Sequence, residues 1–291
     1  MTAVDAAPLA DDEFTLSDAD FERFCDLFYR RTGIRFAPTK RYFVDKRIGA
    51  CVAASGHPDF RTWFAALRLG VDHELVQAAI NRLTVNETYF LREEYQFDAL
   101  IRTVLPRLVR DRDDRPIRIL SLPCSTGEEP YSIAISLLDR WRDIDRYDVE
   151  IVAADIDTDV VRSAQRGTFG DRSLQRLDAD ARRRWFTRTD DGRWQIDDDL
   201  RASVDFRTVN VSDTDEMRAL RGFDVAFCRN LLIYFDEVSA RRAAENLYGS
   251  LRPGGFLFLG HSESMSRISP IFTPVRLPEG MAYQRPKGAG R

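Results

Sequence analysis

The stretch that decides the fold is Arg118-Ile-Leu-Ser-Leu-Pro-Cys-Ser-Thr-Gly-Glu-Glu-Pro-Tyr-Ser-Ile-Ala-Ile135. Its apolar start, from Ile117 to Leu122, predicts a buried parallel strand. The apolar spacing after Gly127 predicts a helix, so the residues between the two form a tight turn. A strand, a turn and a helix N-terminus together can hold the polar part of a nucleotide cofactor at the carboxyl end of a sheet.

The turn carries two adjacent carboxylates, Glu128 and Glu129. They would repel a pyrophosphate, so a cofactor with a cationic group fits better than a dinucleotide or ATP. S-adenosylmethionine, with its ammonium and sulfonium groups, is such a cofactor. A structural interpretation stays open beside this one, because Thr126-x-x-Glu129 also matches a capping box, in which Glu129 only satisfies a backbone donor.

Downstream of the turn, predicted strands and helices alternate, which is typical of an α/β fold with a parallel sheet. The second strand, Val149 to Ala154, is followed by Asp155. A carboxylate at this point is placed to accept hydrogen bonds from ribose hydroxyls. The alternative is an N-cap of the next helix, a role that Asp157 could fill by itself. Farther along, Pro253-Gly-Gly255 predicts a turn before a strand from Gly255 to Gly260.

The chain divides into four predicted parts. Residues 1–16 are expected to be a disordered tail, 17–84 a helical domain, 85–115 a linker with a connecting helix, and 116–291 an α/β sheet domain. Within the last part, Asp191-Gly192 between β-forming residues predicts a hairpin. We therefore expect a small antiparallel subdomain inserted at about residues 173–203.

Composition excludes several classes of protein. With 44% hydrophobic residues the chain can form a packed core, and its net charge of -4 gives no overall field for nucleic acid. No apolar run approaches the ~20 residues of a membrane-spanning helix, and no signal peptide pattern is present. Four cysteines and three histidines are scattered without metal-ligand spacing. We expect a cytoplasmic protein without a structural metal, membrane insertion or nucleic-acid partner.

A basic cluster between residues 30 and 47 stands out in this acidic chain. Its members are Arg30, Arg31, Arg35, Lys40, Arg41, Lys46 and Arg47, against the single acid Asp45. A solvated helix face is the simplest explanation of such a cluster. The alternative is a docking surface for an anionic partner.

Six short motifs together resemble one protein family, the chemotaxis receptor methyltransferases of the CheR type. The matching blocks are Asn86-Glu-Thr-Tyr-Phe-Leu-Arg92, Cys124-Ser-Thr-Gly-Glu-Glu-Pro-Tyr-Ser132, Asp155-Ile-Asp-Thr158, Phe227-Cys-Arg-Asn230, Ile233-Tyr-Phe-Asp236 and Leu259-Gly-His-Ser-Glu-Ser264. They follow the family order and cover almost the whole chain from about Ser17 to Tyr283. Several blocks in order are far more specific than any one of them.

The resemblance implies a fold and an activity. The fold is a helical N-terminal domain, which docks on the receptor, joined to a Rossmann-like methyltransferase sheet domain with a small inserted antiparallel subdomain. The activity is methyl transfer from S-adenosylmethionine to glutamate side chains on cytoplasmic helices of bacterial chemoreceptors, with S-adenosylhomocysteine as the other product. We expect a monomer. Dependence on a receptor tail peptide is in doubt, because the loop from Thr187 to Gly192 is short and carries one glycine.

The resemblance also assigns roles to residues. The cofactor-binding set it implies is Asn86, Thr88, Arg92, Glu129, Asp155, Asn210, Val211, Arg229 and Asn230. Tyr234 would lie close to the transferred methyl group, and we expect Arg92 and Tyr234 to orient the reacting groups. The receptor-docking set is the basic cluster.

The proposed chemistry agrees with the residues that the sequence lacks. A glutamate carboxylate has a pKa near ~4.3, so it is already a nucleophile at neutral pH and needs no general base. The sequence offers no Ser-His-Asp or Cys-His constellation, and this reaction requires none. Two other functions stay open: a non-catalytic S-adenosylmethionine-binding regulator, and a methyltransferase that acts on a different carboxylate.

Overall fold

The computed structural model describes residues 14–110 and 115–288. The chain forms two compact units. The first, called here the helical unit, consists of Phe36–Leu83 and the described residues of Met1–Phe28. The second, the sheet unit, consists of Tyr29–Arg35 and the described residues of Thr84–Arg291. In these described ranges no helix is long and apolar enough to cross a membrane.

The helical unit is built from helices that each bury one face. They are α1 (Asp18–Thr32), α2 (Arg41–Ala54), α3 (Phe60–Leu69) and α4 (His73–Leu83), with a 3-10 turn at Pro38–Lys40. Phe24 and Trp63 are fully buried and stack at its centre. The helix α4 begins directly after Asp72, whose carboxylate accepts from Leu75 N as an N-capping side chain does.

The predicted N-terminal tail extends too far. Its residues 1–13 lie outside the described part of the chain, but Leu16 is 4% exposed and its N–H donates to Asp45. Arg41 donates to the carbonyl of Leu16 and to Asp18. The end of the predicted tail therefore packs on α2.

In the described part of the sheet unit, ten strands form two sheets. They are β1 (Ile117–Ser121), β2 (Val149–Asp155), β3 (Thr168–Phe169), β4 (Phe186–Arg188), β5 (Trp194–Ile196), β6 (Val204–Thr208), β7 (Phe223–Cys228), β8 (Leu251–Leu259), β9 (Thr273–Leu277) and β10 (Gly280–Gln284). The large sheet has the order β6-β2-β1-β7-β8-β10-β9. Its first five strands in this order, β6, β2, β1, β7 and β8, are parallel. The strand β10 is antiparallel to both of its neighbours, β8 and β9. The predicted α/β class is confirmed.

The described part of the sheet unit also contains helices. They are α5 (Tyr95–Ala99), α6 (Leu105–Val109), α7 (Glu128–Arg140), α8 (Thr158–Arg166), α9 (Ala179–Trp185), α10 (Asp198–Ala202), α11 (Thr214–Met217), α12 (Glu237–Ser250) and α13 (Met265–Ile268). Ile119 of β1 joins the core on one face, and the next residue, Leu120, joins the core on the other. Successive side chains of β1 therefore enter opposite cores, so the strand is buried on both faces. The apolar run from Ile117 to Leu122 predicted such a strand.

The small antiparallel sheet has the order β3-β5-β4. The predicted hairpin is present, because β4 pairs with β5 around Asp191-Gly192 and Gly192 has a φ of +79°. The sheet also takes in β3, which starts at Thr168 and so precedes the predicted boundary at residue 173. Two residues of β3 were too few to be recognised by alternation.

Two elements differ from their predicted form because of proline and glycine. The connecting helix contains a π-helical turn, Leu100–Val104, in which Leu105 N bonds to Leu100 O. Pro106 follows this turn, and a wider turn relieves the clash of its ring with the preceding carbonyls. The turn predicted at Pro253-Gly-Gly255 is instead an irregularity within β8, which resumes its register with β7 at Phe256.

Candidate active site

The site is centred on Arg229, which directly follows β7 and is buried. Its Nη1 donates to Glu129 at 3.0 Å, and its Nη2 donates to the carbonyl of Arg92 at 2.5 Å and lies 3.5 Å from Glu93. β1 and β7 are parallel neighbours, so the loops that follow them meet at one edge of the sheet. Three loops distant in sequence are thus joined by one guanidinium.

Glu129 lies in the first turn of α7 and accepts from Ser121 Oγ at 2.7 Å as well as from Arg229. Burial raises its pKa, and the charge of Arg229 acts against that rise. The capping-box interpretation of Glu129 is wrong, because Gly127 is the N-cap and no side chain caps it. Thr126 donates to Glu128 instead, at 2.6 Å. Glu129 is therefore held inward, towards the buried arginine.

Glu93 is a second carboxylate on the same arginine, and sequence reasoning missed it. Burial alone would raise its pKa, but Arg229 and the hydrogen bond with His261 outweigh burial and lower the pKa. His261 Nδ1 lies 3.0 Å from Glu93. Two carboxylates thus share one guanidinium, so this part of the site carries an excess of negative charge and suits a cationic ligand. In addition, the buried Nε of Arg229 has no partner within the described residues.

Asp155, the last residue of β2, is buried, and burial raises its pKa to about 6. Its two oxygens accept from the backbone N–H groups of Ser125, at 2.8 Å, and Asp157, at 3.0 Å. The N-cap of α8 is Asp157, which accepts from Asp159 N and Val160 N. Asp155 does not cap that helix. Backbone hydrogen bonds from Asp157, Ser125 and Ile156 act against the rise in its pKa. A carboxylate has about four lone-pair sites, so one is left for a ligand hydroxyl.

The segment from Asn86 to Glu93 lies across the loops after β1 and β2. Asn86 donates to Asp157 at 2.9 Å, and its carbonyl accepts from Ser125. Thr88 is half-buried. Arg92 donates to the carbonyl of Glu87 at 2.7 Å, and its guanidinium lies over the ring of Tyr89.

Asn210 and Val211 follow β6 at the same edge of the sheet. The Asn210 amide donates to the carbonyl of Arg31 at 2.7 Å and accepts from Ser212 N at 2.9 Å. Val211 is buried, and its carbonyl accepts from Asn246. The side chain of Asn210 thus holds the loop after β6 through hydrogen bonds to the Arg31 carbonyl and the Ser212 N–H.

Asn230 and Tyr234 belong to the loop after β7, which a further carboxylate holds in place. Glu263 accepts from the N–H groups of Asn230, Leu232 and Gly260, at 2.9, 2.7 and 2.7 Å. Sequence reasoning did not single out Glu263, although one of the six motif blocks contains it. Burial raises the pKa of Tyr234, so its phenol keeps its proton at neutral pH and can donate a hydrogen bond.

Backbone strain concentrates in these loops. In residues 14–110 and 115–288 the residues other than glycine with positive φ are Leu91, Glu93, Ser125 and Asn230, with values from 48° to 58°. All of them lie in the loops that surround Arg229 and Asp155. A conformation that costs energy persists only where surrounding contacts enforce it, and such residues cluster at functional sites.

The structure divides the basic cluster between the two units. Arg30, Arg31 and Arg35 belong to the sheet unit, and the other four residues belong to the helical unit. Within the helical unit, Arg41 donates to the carbonyl of Leu16 and to Asp18. Arg47 donates to the carbonyl of Arg82 at 2.6 Å. These two arginines are used in packing, whereas the side chains of Lys40 and Lys46 are exposed.

Comparison with known proteins gives consistent matches over nearly the whole chain. Two family models match: the CheR methyltransferase all-alpha domain over residues 19–84, and the CheR methyltransferase SAM binding domain over residues 86–281. A relative in Vibrio cholerae, chemotaxis protein methyltransferase 2, is 48% identical over 94% of this chain and 95% of its own length. The chemotaxis protein methyltransferase of Salmonella typhimurium is 35% identical over 89% of this chain and 88% of its own length.

Proposed function

The chain belongs to the CheR family of S-adenosylmethionine-dependent methyltransferases, and from this premise we propose that it methylates glutamate side chains of chemoreceptors. The products would be glutamyl methyl esters and S-adenosylhomocysteine. The observation that supports this most strongly is the buried Glu93–Arg229–Glu129 cluster, whose excess negative charge suits a cationic cofactor. The names of the relatives, chemotaxis protein methyltransferases, support a receptor as the substrate.

The residues at the edge of the sheet fit S-adenosylmethionine. Glu129 would hold its ammonium group, and the buried Nε of Arg229, which has no partner among the described residues, would serve its carboxylate. Asp155 would accept from a ribose hydroxyl through its remaining lone pair, while Asn86, Thr88, Asn210, Val211 and Asn230 would line the pocket. When bound, the cofactor supplies a methyl group on a sulfonium, which is a built-in leaving group.

Arg92 and Tyr234 would orient the acceptor carboxylate. Tyr234 keeps its proton, because burial raises its pKa, and so can donate a hydrogen bond to the carboxylate. Arg92 Nη1 donates to the Glu87 carbonyl, so fewer N–H groups of its guanidinium are left for the acceptor, to which we expect a single hydrogen bond. A bidentate clamp would stabilise the negative charge and weaken the nucleophile. Neither residue needs to move a proton, since the acceptor is already ionised. Positioning of this kind can lower a barrier by about 7–11 kcal/mol.

Chemoreceptor helices that carry methylatable glutamates present negative charge, which the exposed members of the basic cluster complement. We assign this docking role to Arg30, Arg31, Arg35, Lys40 and Lys46, all of which are exposed. Arg41 and Arg47 contribute less, because their guanidinium groups already bond within the helical unit. Docking through exposed charges predicts a contact that weakens as salt is raised.

The experiment that tests the function is transfer of a labelled methyl group from S-adenosylmethionine to purified cytoplasmic receptor fragments. Esters hydrolyse in alkali, so we expect the label to be released as methanol. Label that survives alkali would indicate N-methylation. Cofactor binding without any transfer to receptor would favour the non-catalytic regulator.

A further inference from the structure

The C-terminal end of α1 is built into the sheet unit. The residues Tyr29–Arg35, called here the α1 strap, group with the sheet rather than with the helices that precede and follow them. Thr32, Gly33 and Ile34 are buried. A helix end has carbonyl groups without partners inside the helix, and these must be satisfied by other groups. In the α1 strap they are satisfied by the loops of the site.

One side of the strap holds the loop after β6. The carbonyl of Arg31 accepts from Asn210 Nδ2 at 2.7 Å, and the carbonyl of Thr32 accepts from Ser212 Oγ at 3.1 Å. Gly33 has a φ of +77°, and a Cβ there would come within 2.4 Å of Ser212 Oγ. The chain therefore turns at Gly33 in close contact with this loop, which carries two residues of the proposed cofactor pocket, Asn210 and Val211.

The other side of the strap holds the loop after β7. Arg35 N donates to the carbonyl of Tyr234 at 3.1 Å, and Ile34 forms an antiparallel bridge with Phe235. The hydroxyl of Tyr29 donates to Asp236 at 3.1 Å, while Arg35 Nη1 lies 3.4 Å from the other oxygen of Asp236. Asp236 is also the N-cap of α12, so these contacts fix the end of the Tyr234 loop.

We propose that the α1 strap is a positioning element of the active site, which sets the Asn210–Val211 loop and the Tyr234 loop in register with each other. The inference rests on the proposed function only for its effect on turnover, because the effect on cofactor binding needs no acceptor. The strap residues touch neither reactant in this account. They act through the two loops, so substitutions in the strap contacts change binding and rate separately.

Two substitutions test the two sides of the strap. Ser212→Ala removes the hydrogen bond to Thr32, and we expect it to raise the Kd for S-adenosylhomocysteine by about threefold to tenfold, the usual net effect of one hydrogen bond. Tyr29→Phe removes the hydrogen bond to Asp236, and we expect it to lower kcat by a similar factor while changing that Kd less than about twofold. Ser203→Ala, which removes a hydroxyl bond to the Leu200 carbonyl, is the matched control. It should change neither quantity.

Reciprocity gives a second readout, since a segment that favours ligand binding is itself stabilised by the ligand. S-adenosylhomocysteine should slow amide hydrogen exchange in residues 29–35 of the wild-type protein and slow it less in Ser212→Ala. If both strap variants lower only the Tm and match Ser203→Ala in Kd and kcat, and exchange in residues 29–35 does not respond to S-adenosylhomocysteine, the strap is merely structural and the proposal is overturned. Failure to methylate receptor would reject the proposed function, while the Kd and exchange measurements would still decide the role of the strap.

Discussion

Arg229 Nη1 lies 3.0 Å from Glu129 Oε2, and only 2% and 11% of the two side chains are exposed. The pair joins the end of β7 to the start of α7, and Glu93 adds a third loop. Removing water from these charges is costly, and the cost is offset only while each charge keeps its partners. The stability of the site therefore depends on Arg229, Glu129 and Glu93 all keeping their charged partners.

Removal of the arginine should destabilise the protein severely. Arg229→Leu leaves Glu93 and Glu129 buried without their cation, for which a loss of about 3–5 kcal/mol is expected. The control is Arg162→Leu, which breaks the exposed pair with Asp159 and should cost less than about 1 kcal/mol. Denaturant unfolding measures both free energies. Equal losses in the two variants would show that the buried cluster contributes no more than a surface pair.

The raised pKa of Asp155 predicts a pH-dependent affinity for the cofactor. Ribose hydroxyls donate to the ionised carboxylate, and protonation removes an acceptor. The pKa in the folded protein is about 6, so affinity should fall as the pH drops through 6 and should level off above 7. Calorimetry with S-adenosylhomocysteine measures this. Asp155→Asn should bind more weakly at pH 7.5, by about 1.5–3 kcal/mol, and should have a flatter pH profile. A variant that keeps both the affinity and the pH profile of the wild type would eliminate the ribose role.

The same pKa has an effect on the stability of the protein without cofactor. Because the folded pKa, about 6, lies above the ordinary aspartate pKa of 3.8, the folded protein binds the proton more tightly than the unfolded chain. The contribution of Asp155 is then fully present below pH 3.8 and is lost as the pH rises through 6. Asp155→Asn, which cannot bind this proton, should therefore lose most stability at low pH and least above pH 6. Denaturant unfolding at several pH values measures this, and a loss that grows as the pH rises through 6 would contradict the raised pKa.

The two proposed orienting residues should affect rate more than cofactor binding. Tyr234→Phe removes a donor to the charged acceptor, and hydrogen bonds to charged groups are worth about 1.5–3 kcal/mol, so kcat should fall roughly tenfold or more. Arg92→Ala should also lower kcat, with a smaller change in the Kd for S-adenosylhomocysteine. Steady-state kinetics and calorimetry separate the two effects. Equal losses in kcat and affinity would instead indicate roles in ground-state binding.

Local patterns were sufficient to predict much of the fold. The β1 strand, the Asp191-Gly192 hairpin and the cap at Asp157 each depend on residues close in sequence, so their spacing reveals them. The strand β3 and the π-helical turn before Pro106 were missed, because the first is too short to alternate and the second is a response to packing and to a proline ring.

The site was harder to predict because its contacts join residues far apart in the chain. Glu93 and Glu263 are ordinary acids in sequence, and only the fold brings one to Arg229 and the other to the N–H groups after β7. The same is true of Arg41. Its charge alone suggests docking, whereas the fold pairs its guanidinium with Asp18 and the carbonyl of Leu16. Composition gives the charge of such a residue and does not give its partner.

The docking assignment predicts different effects for different members of the basic cluster. Arg31→Glu and Lys46→Glu should each raise the KM for receptor, increasingly so at low salt, because exposed charges are screened over about 10 Å at 0.1 M. Arg276→Glu, an exposed arginine on β9, is the control and should leave KM unchanged. The Kd for S-adenosylhomocysteine should not change in Lys46→Glu or Arg276→Glu, neither of which lies in the α1 strap. If the KM values of Arg31→Glu and Lys46→Glu equal that of the control at every salt concentration, the cluster is a solvated face.

The central claim is that the acceptor is a glutamate carboxylate of a chemoreceptor, and peptide mass mapping of a treated receptor fragment tests it most directly. After incubation with the enzyme and S-adenosylmethionine, we expect the mass of one methylene to be added to peptides at glutamate side chains and to disappear after brief alkali. Fragments in which those glutamates are replaced by alanine should gain nothing. A methyl group found on any other side chain, or one that persists through alkali, would contradict the account.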